Sequence, residues 1–330
     1  MKPYVRMLAA APIVAGLVLA WSGTALMEQV QVQLAPLPAA PELKLSEEQL
    51  KQAMAVVRVG RRLTPKSWPN GAKVAVNIGY DVDNMGVARG APLPVAASGG
   101  EYGAVEGVPR ILALLDKYQL PASFYIPVSS AVLNPEMIPL IQKSGRHEIA
   151  PHGWVHEAAA SINSAAEEER LLKQSLDYYE KVLGKRPVGF RAPGWGFSQH
   201  SIEALKKSGV LYDSSMMGLD EAYELNSKGQ PTGIVELPVE WILDDAPYFG
   251  EAGARPSPEL IFKVYRDEFD VAYTEGTLCM LTFHPHVSGR RSRIVEMEKL
   301  FQYIKSKPNV WVATSAEIAA YVKQNAGKTN

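Results

Sequence analysis

Cysteine is all but missing from this chain of 330 residues, where Cys279 stands alone. A single thiol excludes an intrachain disulfide framework and a cysteine-rich zinc module. Its place in the apolar run LCMLTF marks a buried, inert side chain rather than a nucleophile. An excess of either charge is missing too: 34 basic residues face 35 acidic ones, for a net charge of −1. No basic field therefore invites nucleic acid, and no acidic tail suggests a solvating segment. The sequence shows no fixed-period repeat, and no linker composition interrupts residues 70–325. The whole chain is 47% hydrophobic and 21% charged, and that stretch reads as one globular domain with a core of its own.

The N-terminus carries the long uncharged apolar run. Lys2 and Arg6 precede MLAAAPIVAGLVLAWSGTALM, with Gly23 and Ala25 spaced like a cleavage site. That is the layout of an export signal, although the run is also nearly long enough to be an uncleaved membrane anchor. No cysteine follows it, so lipid attachment at a processed cysteine is not expected. Either way the remainder is expected to be exported: periplasmic, secreted, or held on the outer face of the cytoplasmic membrane. Residues 1–27 are thus the leader or anchor. Residues 28–69 read as a linker and short helix, with the spacer QVQVQLAPLPAAPELKL followed by SEEQLKQAMAVVRVGRRL as a helix capped by Ser46 and Gln49. Residues 70–330 form the main domain.

Within that domain, extended and helical patterns alternate. VAVNIGYDV, SFYIPV, HEIAPH, VGFRAPG, VLYDSS, GIVELPV, TLCMLTF and VWVAT read as strands. Amphipathic runs separate most of them, the clearest being AAEEERLLKQSLDYYEKVLG, with glutamates in its first turn and Lys181 and Gly184 at its end. This beat predicts α/β architecture built from parallel βαβ units, and a barrel rather than an open sheet. In such a barrel every chemically active residue should sit just after a strand.

Several candidates do. Asp81 and Asp83 end the first strand and point the same way; alone, an Asp-x-Asp is more often a pair of solvated loop residues. His152 and His156 follow HEIAP at a spacing that lets both face one side of a helical turn; alone, such a pair is more often two surface histidines. With Asp83 they make an oxygen and two imidazoles, a set that leaves a metal one open position. Arg191 precedes the turn APGW, where a surface arginine is an equally good reading. His284 ends LCMLTF, stiffened by Pro285, and an imidazole there suits a general acid. His147 lies at the opposite end of its strand and reads as structural, and His286 as secondary. Trp241, Asp244 and Asp245 in EWILDD are candidate walls of a substrate pocket, with plain packing slightly favoured for Trp241. Trp195 joins them as a pocket candidate, and Arg290, with its neighbours Arg291 and Arg293, as a binder of an anionic substrate group or a solvated run.

Taken together, YDVD, HGWVH, RAPGW, WILDD and LTFHP resemble, in order, the motifs of the polysaccharide deacetylase family, the NodB-homology or carbohydrate esterase family 4 group. The resemblance runs from Val74 to the terminal helix. Val82 between the aspartates, EYGAVEGVPRILALLDKYQLPASFYIP and HPHVSGRRSR resemble the branch that holds peptidoglycan-deacetylase-like proteins, allantoinase-like amidohydrolases and cyclic-imide hydrolases. Many members of that branch carry an arginine where this chain has AVEG. The resemblance implies a distorted, seven-stranded (β/α) barrel of NodB type. It implies a divalent metal, zinc, on Asp83, His152 and His156, with Asp81 as general base, Arg191 orienting it and His284 protonating the leaving nitrogen. The expected reaction is hydrolysis of a non-peptide C–N bond, foremost N-deacetylation of an amino-sugar polymer such as peptidoglycan or an exopolysaccharide. Hydrolysis of a small cyclic amide or imide is the alternative, and a non-catalytic glycan-binding protein a third. The partners expected are a glycan or small amide, no nucleic acid, and a membrane only through the N-terminal segment; a homo-oligomer is compatible.

Overall fold

Strands come first in the order of construction, because they carry the site. In chain order they are β1 (Arg58–Arg62), β2 (Val74–Asp81), β3 (Ser123–Ile126), β4 (Glu148–Pro151), β5 (Gly189–Phe190), β6 (Tyr212–Asp213), β7 (Tyr223–Ser227), β8 (Gln230–Glu236), β9 (Leu278–Phe283) and β10 (Val310–Val312). The structure, a computed structural model, describes residues 46–84, 94–250 and 253–326. The expected leader and spacer lie outside the described residues, and no described helix is long and apolar enough to cross a membrane.

β2 is buried along its whole length, as a strand covered on both faces must be. β9 occupies one edge of it from Ala75 to Tyr80. The other edge is therefore shared: β10 takes Val74–Val76 and β3 takes Gly79–Asp81, all parallel. Asn77 fills the fork, its side-chain amide donating to Ser123 Oγ and to the Ala313 carbonyl, 3.1 Å each. β4 continues beyond β3. A second sheet runs β5–β6–β8 in parallel, extended by β7 and β1 in antiparallel pairing. Two thin seams join the sheets. Arg191 N–H donates to the Pro151 carbonyl beside β4, and Asp244, after β8, makes an isolated parallel bridge to Thr282 of β9. The circuit β2–β3–β4–β5–β6–β8–β9 is the distorted seven-strand barrel expected, with single backbone contacts standing in for full pairing at two places.

Side-chain alternation sorts the two surfaces of β2. Val74, Val76, Ile78 and Tyr80 enter the large core under the helices, with Phe124, Leu281 and Phe283. Ala75, Asn77, Gly79 and Asp81 therefore face the barrel axis. The helices expected at 107–120, 165–184 and 257–276 form at Val108–Tyr118, Ala165–Leu183 and Pro258–Glu275, the last two closed by Gly184 and Gly276 in the left-handed region.

Two segments differ from expectation. The helix from Ser46 has its capping box with Gln49, but it ends at Met54, and Arg58–Arg62 is a strand. Leu63 and Trp68 just beyond are both 3% exposed, and Trp68 Nε1 donates to the Gly276 carbonyl. Burying side chains of this size contributes roughly 1.5–3 kcal/mol each, so residues 58–69 belong to the folded body rather than to a linker. The second difference is the hairpin β7–β8, of which only β8 was legible. Its turn places Lys228 at φ 51° and Gly229 at φ 78°, the twist that a two-residue hairpin loop requires.

Candidate active site

All five sequence motifs reach one end of the barrel. Asp81 is 2% exposed at the tip of β2. Arg191, wholly buried, crosses the axis to meet it: Nη1 donates to Asp81 Oδ1 at 2.7 Å. The rest of the guanidinium is held just as firmly. Nε donates to the Ser214 carbonyl at 3.0 Å, Nη2 to Ser214 Oγ at 2.9 Å, and the plane lies 3.9 Å from the Tyr125 ring centre. Burial opposes the charge on Arg191, but the Asp81 carboxylate beside it outweighs burial and raises its pKa. Gly79 makes the room, since a Cβ there would stand 3.0 Å from the Leu281 carbonyl and 3.2 Å from Arg191 Nη1. The second oxygen of Asp81 accepts from Trp195 Nε1 at 3.3 Å. Trp195 is 6% exposed and stacks under Trp241, ring centres 4.3 Å apart, which is itself 45% exposed. Trp195 therefore buttresses Asp81, and Trp241 alone of that pair presents a face outward.

His152 and His156 do converge, but not on a helical turn. The segment after β4 is a loop, with Gly153 at φ 78° and His156 at φ 58°. Glu157 closes it by accepting the N–H groups of Trp154 and Val155 at 2.9 and 2.8 Å. A left-handed histidine costs about 1–2 kcal/mol, and such strain persists only where the surroundings impose it. What it achieves is visible: His156 Nε2 lies 3.4 Å from Asp83 Oδ2, and His152 Nε2 lies 3.4 Å from Asp83 Oδ1. His152 Nδ1 is 2.8 Å from the Arg191 carbonyl. A carbonyl only accepts, so Nδ1 carries a proton, and Nε2 is the nitrogen that faces Asp83. Burial alone would raise the pKa of Asp83; His156, His152 and His284 outweigh it and hold the carboxyl well below its usual range.

Asp83, His152 and His156 each offer one ligand atom within 4.8 Å of the others. Asp83 Oδ1 is buried with no hydrogen-bond partner. A carboxylate with one orphaned oxygen, set between two imidazole nitrogens, fits a divalent cation with an open coordination position. Asp244, Asp245 and His284 cluster as closely, yet their groups satisfy one another. Asp245 Oδ1 is 2.7 Å from His284 Nδ1, both Asp245 oxygens accept the His284 N–H at 3.0 Å, and Asp244 Oδ1 accepts the Ala246 N–H.

That second cluster corrects the reading of Asp244 and Asp245 as pocket walls. Both are buried, at 3% and 0% exposure, beneath His284. They orient the imidazole so that Nε2 faces Asp83 Oδ2 at 3.5 Å. Burial lowers the pKa of His284, but Asp244, Asp245 and Asp83 more than reverse that and raise it well above the ordinary value. A signal existed in the sequence, since an adjacent acid pair following a strand is costly unless a cation lies near it. Arg290 lies over the Tyr102 ring at 4.0 Å, at the edge of a cleft beside the site. His147, read as structural, packs edge-on against Phe124, and His286 meets His284 edge-on.

A model of the polysaccharide deacetylase family matches residues 99–212. The peptidoglycan deacetylase of Helicobacter pylori is 32% identical over 291 residues, covering 78% of this chain and 99% of its own length. The chain belongs to the polysaccharide deacetylase family. A solved structure assigned to the polysaccharide deacetylases, from Mycobacterium smegmatis, superposes with a TM-score of 0.74 at 32% identity, covering 83% of this chain and 99% of that one. The PuuE allantoinase has the same fold, with a TM-score of 0.69 at 23% identity over 79% of this chain and 94% of its own. Polysaccharide deacetylases are hydrolases of carbon–nitrogen bonds other than peptide bonds, and they are in general metal-dependent. The branch expected from the motifs is the one these relatives represent.

Proposed function

We propose that this polysaccharide deacetylase is an exported, zinc-dependent enzyme that removes N-acetyl groups from an amino-sugar polymer such as peptidoglycan. The observation that carries this reading is the meeting of three units at one barrel mouth: the Asp83–His152–His156 trio, the Asp81–Arg191 pair, and the Asp245–His284 pair. The leader-like or anchor-like pattern of residues 1–27 supports export, and the likeness to nearly the whole of a peptidoglycan deacetylase supports the polymer.

Asp83, His152 and His156 would hold the zinc, which when bound supplies an activated water and polarises the amide carbonyl. The other residues handle protons. Arg191 and Trp195 fix both oxygens of Asp81, so its carboxylate meets the attacking water in one orientation and takes its proton. The water oxygen forms the new bond to the acetyl carbon. His284, kept protonated by the acids below it, gives its Nε2 proton to the departing nitrogen as the C–N bond breaks. Acetate and a free amine result. Base and acid thus belong to different strands, β2 and β9, which are hydrogen-bonded neighbours.

The test uses the protein without its leader, loaded with zinc, on an N-acetylated glycan and on a cyclic imide, following released acetate and ring opening. Asp81→Asn should lower kcat by about 10²–10⁴, the usual worth of a general base, while bound metal stays stoichiometric. His152→Ala should lose the metal. Unchanged turnover in Asp81→Asn would refute the assignment, and activity on the imide alone would replace the polymer reading.

A further inference from the structure

Two arginines beside the acid–base pair have no carboxylate at ion-pair distance among the described residues. Arg290 and Arg293 line a cleft of about 820 Å³, shared with Tyr102, Phe249 and His286. Arg290 lies flat on Tyr102, and its Nε donates to the His286 carbonyl at 3.1 Å. Arg293 stands 5.2 Å from the Phe249 ring centre, and its Nε donates to the Val287 carbonyl at 2.7 Å. Those bonds engage one nitrogen of each guanidinium. Among the described residues neither arginine forms an ion pair, whereas Arg62, Arg146, Arg170 and Arg186 all do. Arg293 is half-buried, and burial lowers its pKa; the Asp245 carboxylate pulls the other way, and the like charge of Arg290 adds to the lowering.

Two guanidinium groups held by aromatic faces and backbone carbonyls, close enough to repel and partly out of water, leave their terminal N–H forks for an anion. The cleft adjoins the site directly. His286, which lines it, meets His284 edge-on with ring centres 5.7 Å apart, and Asn84, next to Asp83, lines it as well. The short segment Pro285–Ser288, which leads into the arginines, is pinned to the turn Gly103–Gly107: a Cβ on Gly107 would stand 2.3 Å from the Pro285 carbonyl, and one on Gly103 2.9 Å from His286 Cβ. The arginines are thereby set at a fixed place relative to His284.

We propose that this cleft is a carboxylate subsite, so that the glycan deacetylated here bears a carboxylate on the reacting sugar or on its neighbour; this rests on the deacetylase reading above. The probe is an N-acetylglucosamine–N-acetylmuramic acid oligomer, compared with the same oligomer after its carboxylates are amidated. Wild type should favour the acid form by about tenfold in kcat/KM, the worth of one charge-assisted hydrogen bond. Arg293→Met and Arg290→Met should raise KM for the acid form by about that factor, leaving kcat and the amidated form unchanged. Equal use of both forms by wild type would overturn the subsite. So would variants that lose turnover on both forms alike, since that is what a purely structural hold on the 284–289 loop predicts. If neither form is hydrolysed, the deacetylase reading fails separately, and calorimetric binding to the Asp81→Asn protein decides the subsite. Tighter binding of the acid form that disappears in Arg293→Met would sustain it; equal binding of the two forms would overturn it.

Discussion

Replacing Asp245 by asparagine isolates the proton logic of the site, because the side chain keeps its shape and loses its charge. In the native chain Asp245 Oδ1 takes the Nδ1 hydrogen bond of His284 at 2.7 Å, and both oxygens take the His284 N–H at 3.0 Å. An asparagine retains one oxygen for these donors and turns an NH₂ group where the second oxygen stood. The loss is therefore one charge-assisted bond and one carboxylate beneath a buried imidazole. A hydrogen bond to a charged group is worth about 1.5–3 kcal/mol, which as a barrier change corresponds to a fall in kcat of roughly 10–150-fold. The pH profile carries the sharper signature. His284 owes its raised pKa to Asp244, Asp245 and Asp83 acting against burial. With Asp245 neutral, the imidazolium deprotonates sooner, so the alkaline limb of kcat moves to lower pH. Metal content should not change, since Asp245 touches none of Asp83, His152 or His156 among its hydrogen-bond partners. The assay is acetate release across pH 5–10 beside a metal determination on the same samples. An unmoved alkaline limb, or loss of metal in step with activity, would refute the reasoning.

Two further outcomes concern stability. Arg191→Met should destabilise the fold by about 3–5 kcal/mol, because it strands the buried Asp81 carboxylate without its partner, and chemical denaturation reads this directly. A smaller loss than with surface arginines such as Arg186 would contradict the packing described. The second concerns Asp213, buried against Glu236, its pKa pushed up to about 6 chiefly by burial. The folded value lies above that of the unfolded chain, near 4, so the folded state holds the extra proton between them. Stability is then full below about pH 4 and declines as pH rises through about 6, by an amount on the order of 3 kcal/mol. Glu236→Gln, whose amide N–H replaces the shared proton, should raise the melting temperature at pH 8 more than at pH 5. An equal rise at both would show that the pair does not hold a proton.

The legible part of this protein was its local part. Alternating strand and helix patterns are local, and so is the placement of Asp81, Asp83, His152, Arg191 and His284 just after strands, so fold class and candidate residues could be read from the sequence. β1 was not legible: RVGRR has no apolar alternation and is a strand because it pairs with Tyr223–Ser227, about 160 residues away. The histidine loop was misread for a related reason. The spacing of His152 and His156 suits a helix, but Gly153 and the acceptor Glu157 fold a loop that puts both imidazoles on Asp83.

By itself, then, the sequence determined the parallel α/β layout, the order of the five motifs and the residue types at the barrel mouth, because periodicity and side-chain chemistry belong to each residue and its near neighbours. The tertiary structure alone decided what each group faces. It set Asp245 under His284 instead of in a pocket wall, turned Trp195 inward to Asp81, and laid Arg290 and Arg293 against aromatic rings with no ion pair among the described residues. Partnership of this kind depends on distances between loops on separate strands, and those distances exist only once the barrel has formed.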